Sequence, residues 1–434
     1  MPRTTSRTRS GKLSTSTKPE TRMSGTGDST PVPRLKSTSE PAQQALKLKV
    51  ITTEVDFDQL AADWANLLHR SSCDALFNSW PWQRAWWQVW SQKLDLQLHL
   101  VATYLDDDTE RLVGLLPICF SPRDKVYAFL GALPRATFRS ELLDALIDPD
   151  YEATVAARLS THLGGLMASA DFFAGDVPRH ASIGKILKGL PVSSGAMVLG
   201  HLTMTEDTVY EVDCQGGFMA YVSGLGKNSR LKLFNRRSYL QQHYPGTSVH
   251  ERELVGSEGD GAASSEFLAF QPEFDRFHQL RWNKPFLGQD GLSFQSRFID
   301  LCQRWNGFCA DIPAVGVKPV VSVMTHQERT ISLLYDVVVG DTRYNMQMGF
   351  AEDFDKKLSL GTLHLGYAIE AACEAGLRQY SFLAGSGRLA EASYKTHLAT
   401  HTRPISSSCT AAKHRFIRLA ARDLARRIYQ SIRR

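Results

Sequence analysis

The chain of 434 residues is long enough for two or three ordinary domains, and its 43% hydrophobic share, with no apolar run of membrane-spanning length, is that of a soluble globular protein. Its seven cysteines form neither a CxxC pair nor a His/Cys cluster, which excludes a zinc site or disulfide framework and implies free thiols in a reducing compartment. The net charge of +5 is uneven: residues 1–40 hold eight Lys/Arg against three acids and residues 411–434 eight against one, leaving the body at −7 and excluding a nucleic-acid reading drawn from overall charge.

Residues 1–46 are Ser, Thr, Pro, Lys and Arg with little that is apolar, the composition of a disordered basic tail, and they lack the apolar core of a secretory signal. A first folded region, 47–205, opens with a strand at Lys47 and a helix whose Leu60, Trp64, Leu67 and Leu68 share a face. In FNSWPWQRAWWQVWSQ, five tryptophans fall within eleven residues. Ser79 reads as a cap, Pro81 suits a first turn, and Trp82, Trp86 and Trp90 recur at helical spacing. These rings read as core, with a sugar or acyl groove as the alternative. LQLHLVATYL and RLVGLLPICF form a hairpin around DDDTE, YAFLGAL a strand and ATVAARLSTHLGGLM a helix. ADFFAGDVP and GAMVLGHLTM read as short strands, and no Gly-rich strand-to-helix turn occurs in this region.

The second region, 206–405, begins with YEVDCQ as a strand and GFMAYVSGLGKNSRLKLFNRRSYLQQHY as a helix pair. Lys227, Arg230, Lys232, Arg236 and Arg237 make either a solvated face or the cationic edge of a site for anionic ligands. Ser257–Ser265 reads as a flexible loop. In FLAFQPEFDRFHQLRWNK, taken as one helix, His278, Arg281 and Trp282 share a face. A second helix, SFQSRFIDLCQRWNG, precedes three strands, PVVSVMTHQ, TISLLYDVVVG and TRYNMQMGF. The helix Gly361–Leu377 carries Leu365, Ile369, Ala372 and Cys373 at helical spacing, with Gly376 as a stop. Gly361 has no Cβ to keep a ligand from the backbone, and the free N–H groups of that first turn favour a phosphate. YSFLAG is a further strand, followed by a short element with Tyr394 and Lys395. Residues 406–434 form a basic amphipathic helix, with Ile417, Ala420, Ala421, Leu424, Ile428 and Ile432 on one face and Arg415, Arg418, Arg422, Arg426 and Arg433 mostly on the other. It either docks on the body or lies on an anionic membrane surface.

The segments LGTLHLGYAIEAACEAG, YSFLAG and YKTHL, with FHQLRW and FNSWPWQRAWWQVW upstream, resemble the cellulose-biosynthesis CelD-like (BioF2-like) acetyltransferase family, over about residues 50–400. That family is a branch of the GNAT superfamily related to the FemAB peptidoglycan transferases. The resemblance implies an α/β fold of α+β layers in two tandem GNAT-like acyl-CoA N-acyltransferase domains. It also implies acetyl-CoA or another acyl-CoA as donor, no metal, and an amine or hydroxyl acceptor on a sugar, lipid or envelope and exopolysaccharide precursor. Lys357, Ser359, Gly361 and Thr362 would form the phosphate cradle, although KLSLGT keeps only one of the superfamily's two glycines. The strand at Gln347 would polarise the thioester, His278 would act as base, and Tyr394 and Lys395 would stabilise the oxyanion or leaving group. Arg281, Trp282 and Arg236 would bind substrate. An aminoacyl-tRNA-dependent transferase and a non-catalytic scaffold of polysaccharide assembly are the alternatives. The expected location is cytoplasmic, or peripheral at the inner membrane face.

Overall fold

A computed structural model of the chain describes residues 45–136, 138–190, 199–254, 262–283, 287–385 and 394–432. The tail expected over 1–46 lies outside the described residues as far as residue 44. Thirteen strands are described: β1 (Leu46–Ile51), β2 (Gln97–Leu105), β3 (Leu112–Ser121), β4 (Val126–Phe129), β5 (Leu146–Ile147), β6 (Asp171–Pro178), β7 (Leu199–Asp213), β8 (Ser248–Glu253), β9 (Val317–His326), β10 (Arg329–Val339), β11 (Thr342–Phe350), β12 (Gln379–Ala384) and β13 (His401–Ala412). They form one mixed sheet in the order β1-β2-β3-β4-β6-β13-β7-β12-β11-β10-β9-β8, with β5 on β3.

The same motif occurs twice in this sheet. In the first half β4 pairs in parallel with β6, and the helix Glu152–Leu166 lies between them in sequence. In the second, β11 pairs in parallel with β12 across the helix Leu360–Glu374. Parallel neighbours need such a crossover, whereas the antiparallel pairs β2–β3, β3–β4, β9–β10 and β10–β11 are joined by short turns. The two halves meet on β13, which pairs with β6 on one side and β7 on the other.

The tryptophan cluster is core. Trp80, Trp82, Trp86, Trp87 and Trp90 are all buried on the helix Trp80–Trp90. Trp82 meets Phe294 and Phe298 edge-on at 4.8 and 5.1 Å, locking this helix to the helix Gln289–Phe308 of the second half. Such pairs add about 0.5–1.5 kcal/mol beyond the area they bury.

Several expectations are corrected. Ser79 precedes its helix but makes no cap; its hydroxyl donates to Leu76 O instead. The YEVD of YEVDCQ and the described end of GAMVLGHLTM belong to one strand, β7, which runs through residues 205 and 206 and ends at Asp213. FLAFQPEFDRFHQLRWNK is two helices, Ala262–Ala269 and Gln271–Trp282, because Pro272 starts a new helix more readily than it continues one. Residues 262–265 are therefore helical rather than loop. Residues 401–412 form β13, so the last helix starts at Lys413 and not at 406.

Candidate active site

β11 and β12 hold together only at their beginnings, where Thr342–Tyr344 face Gln379–Ser381. Beyond these residues each strand is bent by an irregularity. In β11, Asn345 pairs with Asp336 and Gln347 with Tyr335, leaving Met346 as the extra residue of a bulge. β12 slips against β7 between Ser381 and Ala384, and Leu383 adopts φ +60°, a conformation costly for a branched residue. Between the parted strands lies a cavity of about 430 Å³ lined by Asn345, Met346, Gln347, Lys395, Arg139 and Glu141, among others.

The displaced end of β12 is held by two groups of opposite charge. Lys395 Nζ donates to Phe382 O at 2.6 Å and Ala384 O at 2.7 Å, with Leu383 O at 3.4 Å. Glu141 Oε2 accepts from Ala384 N at 2.7 Å. Glu141 comes from the first half and is almost fully buried. Burial raises its pKa from 4.5 to about 7, against the opposing pull of Arg139, Ala384 N–H and Lys395. Arg139 stands 3.8 Å from Glu141 and is itself fixed by Asp176 at 2.6 Å and Asp207 at 3.0 Å. On the β11 side, Asn345 Nδ2 donates to the buried Asp336, which also receives Arg343 Nε at 2.6 Å and so anchors the rim of the cavity.

A second cavity, of about 690 Å³, lies at the start of the helix Leu360–Glu374. Thr362 of its first turn, the segment Gly226–Ser229, Lys232, Tyr394 and His397 line it. Two helix starts, Leu360 and Lys227, thus meet here with Lys227 and Lys232, an arrangement suited to phosphate. Burial pushes the Tyr394 hydroxyl up to about 12, so it stays protonated at neutral pH. Tyr394 and Lys395, adjacent in sequence, therefore serve different cavities. In the first half, the corresponding helix begins among Asp148, Asp150 and Glu152, and carboxylates at a helix start disfavour phosphate.

The sequence candidates divide accordingly. Gln347 and Lys395 line the first cavity, and Thr362 and Tyr394 the second. Ser359 stands at the helix start without a side-chain cap bond. At Gly361 a Cβ would lie 2.6 Å from the Phe350 ring and 2.9 Å from Met348 Sδ, so the missing side chain serves packing of the helix on β11. Lys357 is exposed, with Nζ 5.7 Å from the Tyr239 ring, and Arg236 lies 5.5 Å from the same ring; neither lines the two cavities. Arg281 pairs with Glu352 at 3.4 Å and covers Phe350. His278 is half-buried beside Phe277, which packs on Gly349 of β11; burial lowers its pKa, and it lines neither cavity. The Trp282 side chain lies outside the described residues. Sequence reasoning missed Glu141 and Arg139, and no motif marks them.

Residues 264–396 match the family model described as "Acetyltransferase (GNAT) domain". No curated protein matches the sequence. Among solved structures, FemX is similar at TM-score 0.50 and 11% identity, over 83% of this chain and 96% of that one. L-PGS from Bacillus licheniformis is similar at TM-score 0.45 and 11% identity, over 85% and 96%. A tandem GNAT protein from the clavulanic acid biosynthesis pathway is similar at TM-score 0.37 and 10% identity, over 84% and 98%. At these identities the likeness concerns fold alone. Residues 264–396 thus match an acetyltransferase (GNAT) domain, set in a chain of mixed α/β fold that resembles FemX.

Proposed function

We propose that the protein moves an acyl group from an acyl-CoA to an amine or hydroxyl of a sugar, lipid or envelope precursor. The observation that carries this reading is the parting of β11 and β12 around a cavity, with a cationic cavity at the adjoining helix start. The donor's phosphates would lie against Thr362, Lys227 and Lys232, and its thioester would reach between the strands. Backbone N–H groups freed by the Met346 bulge would polarise the carbonyl. Glu141 would take the proton of the attacking amine or hydroxyl, since a carboxylate with a pKa near 7 suits that task. A carbon–nitrogen or carbon–oxygen bond forms as the carbon–sulfur bond breaks, and the Tyr394 hydroxyl would hydrogen-bond the departing thiolate. Lys395 has its protons on carbonyls of β12, so its role is to position the wall of the site.

An aminoacyl-tRNA donor, the runner-up, is favoured by one feature: the cationic cavity would accept a nucleic-acid phosphate equally well. Purified protein should be incubated with a panel of acyl-CoAs and envelope extract, with thiol release and products followed by mass spectrometry. Acylated product with matching thiol release supports the reading. Transfer from aminoacyl-tRNA alone would replace the donor, and transfer from neither would leave a scaffold.

A further inference from the structure

The last helix, Lys413–Ile432, is fastened to the body by its first turn. Arg415 Nε donates to Asp171 at 2.6 Å, and its Nη2 to Met167 O and Ala170 O at 2.6 and 2.9 Å. The Phe416 ring fills the space over Gly200, where a Cβ would lie only 2.1 Å away. At 100° per residue, Arg415, Phe416, Leu419, Ala420 and Asp423 fall on one side, and all five are half-buried. Ile417, Ala421 and Leu424 fall on another side and are exposed, Ile417 and Leu424 each to 60%. The register carries positions 428 and 432 onto this same stripe. The apolar stripe therefore does not dock on the body. Arg418 and Arg422, both exposed, run along its edge, while Asp423, the one acid of 411–434, is on the body side.

We infer that this stripe lies in the surface of an anionic lipid bilayer, with Ile417, Ala421 and Leu424 among the acyl chains and Arg418 and Arg422 at the head groups. A helix with an apolar stripe beside a cationic flank is built for that boundary. No described helix is long and apolar enough to cross a membrane, so the helix lies on the bilayer. Self-association through the stripe would bring Arg418 and Arg422 of two copies together, and a nucleic acid would leave the exposed Ile417 and Leu424 in water. The inference is independent of the donor and acceptor proposed above.

The test is co-sedimentation of the full chain with sucrose-loaded vesicles, either phosphatidylglycerol and phosphatidylcholine in equal parts or phosphatidylcholine alone. The wild type should pellet with the anionic vesicles only, and lose that binding between about 0.1 M and about 1 M salt as screening shortens. Each basic residue at such a surface is worth about five-fold in partitioning, so Arg418→Glu/Arg422→Glu should weaken binding at least about 25-fold. Ile417→Asp/Leu424→Asp, at exposed positions and with an unchanged melting curve, should weaken it by about ten-fold or more. Wild-type protein that stays in the supernatant overturns the inference. Undiminished binding of the Ile417→Asp/Leu424→Asp variant does so too, because attraction would then be electrostatic only. A wild-type dimer in light scattering that this variant dissolves would assign the stripe to a second copy.

Discussion

Lys395 and Glu141 hold the same end of β12 from opposite chemical sides: the ammonium takes Phe382 O and Ala384 O at 2.6 and 2.7 Å, and the carboxylate takes Ala384 N at 2.7 Å. One group belongs to each half of the chain. The kink at Leu383 is thereby fixed from both sides, and the cavity between β11 and β12 keeps its width.

Removing Lys395 should affect both rate and stability. Lys395→Met leaves buried carbonyls without a donor, at about 1–3 kcal/mol, and should lower the melting temperature. It should also lower kcat by about 10²–10³, the usual cost of removing one preorganised group from an acyl-transfer site. Steady-state kinetics and melting curves check both, and an unchanged kcat would remove Lys395 from the account.

Glu141 makes a pH-dependent prediction. Its pKa is raised in the folded state, from 4.5 to about 7, so the folded protein binds the extra proton and is most stable at low pH with respect to this group. Stability is lost as pH rises from about 4.5 to about 7, where the buried carboxyl is forced to ionise. Glu141→Gln cannot ionise, so its melting temperature should gain on the wild type across that window and run parallel above it. In activity the sense is reversed: wild-type kcat/KM should rise through about pH 7, and this limb should vanish in Glu141→Gln. A limb that survives there but is lost in His278→Ala would give the base role to His278.

At Gly361 two effects compete. Glycine to alanine within a helix usually gains about 1 kcal/mol, but overpacking a filled site costs about 1–3 kcal/mol. With Phe350 at 2.6 Å and Met348 at 2.9 Å from the new methyl, the clash should win. Gly361→Ala should unfold at lower denaturant, and adding Phe350→Ala should recover part of the loss. A more stable Gly361→Ala would refute this packing.

What the sequence made legible is what local pattern controls. Trp82, Trp86 and Trp90 at helical spacing gave the buried face of their helix, and the segment TRYNMQMGF gave β11. The helix after it was equally plain. β13 was not, because residues from 406 onward read as the start of the last helix; strand neighbours on both sides make 401–412 a strand. Glu141 was hidden for a stronger reason, since its partner Ala384 lies 243 residues away and only the tertiary fold joins them. At Gly361 the sequence shows a glycine at a helix start but not the Phe350 ring that occupies its Cβ side.

The central claim is that the cationic cavity receives the phosphates of an acyl-CoA. Calorimetric titration of CoA and acetyl-CoA into the wild type and into Lys227→Glu/Lys232→Glu tests it most directly. Lys232 is exposed and Lys227 starts a short helix turn, so the double variant should melt like the wild type. Saturable wild-type binding, weakened at least about ten-fold in the variant and accompanied by a ligand-dependent rise in the wild-type melting temperature, is the predicted result. No heat and no melting shift at millimolar CoA, or equal binding by the charge-reversed variant, would contradict it.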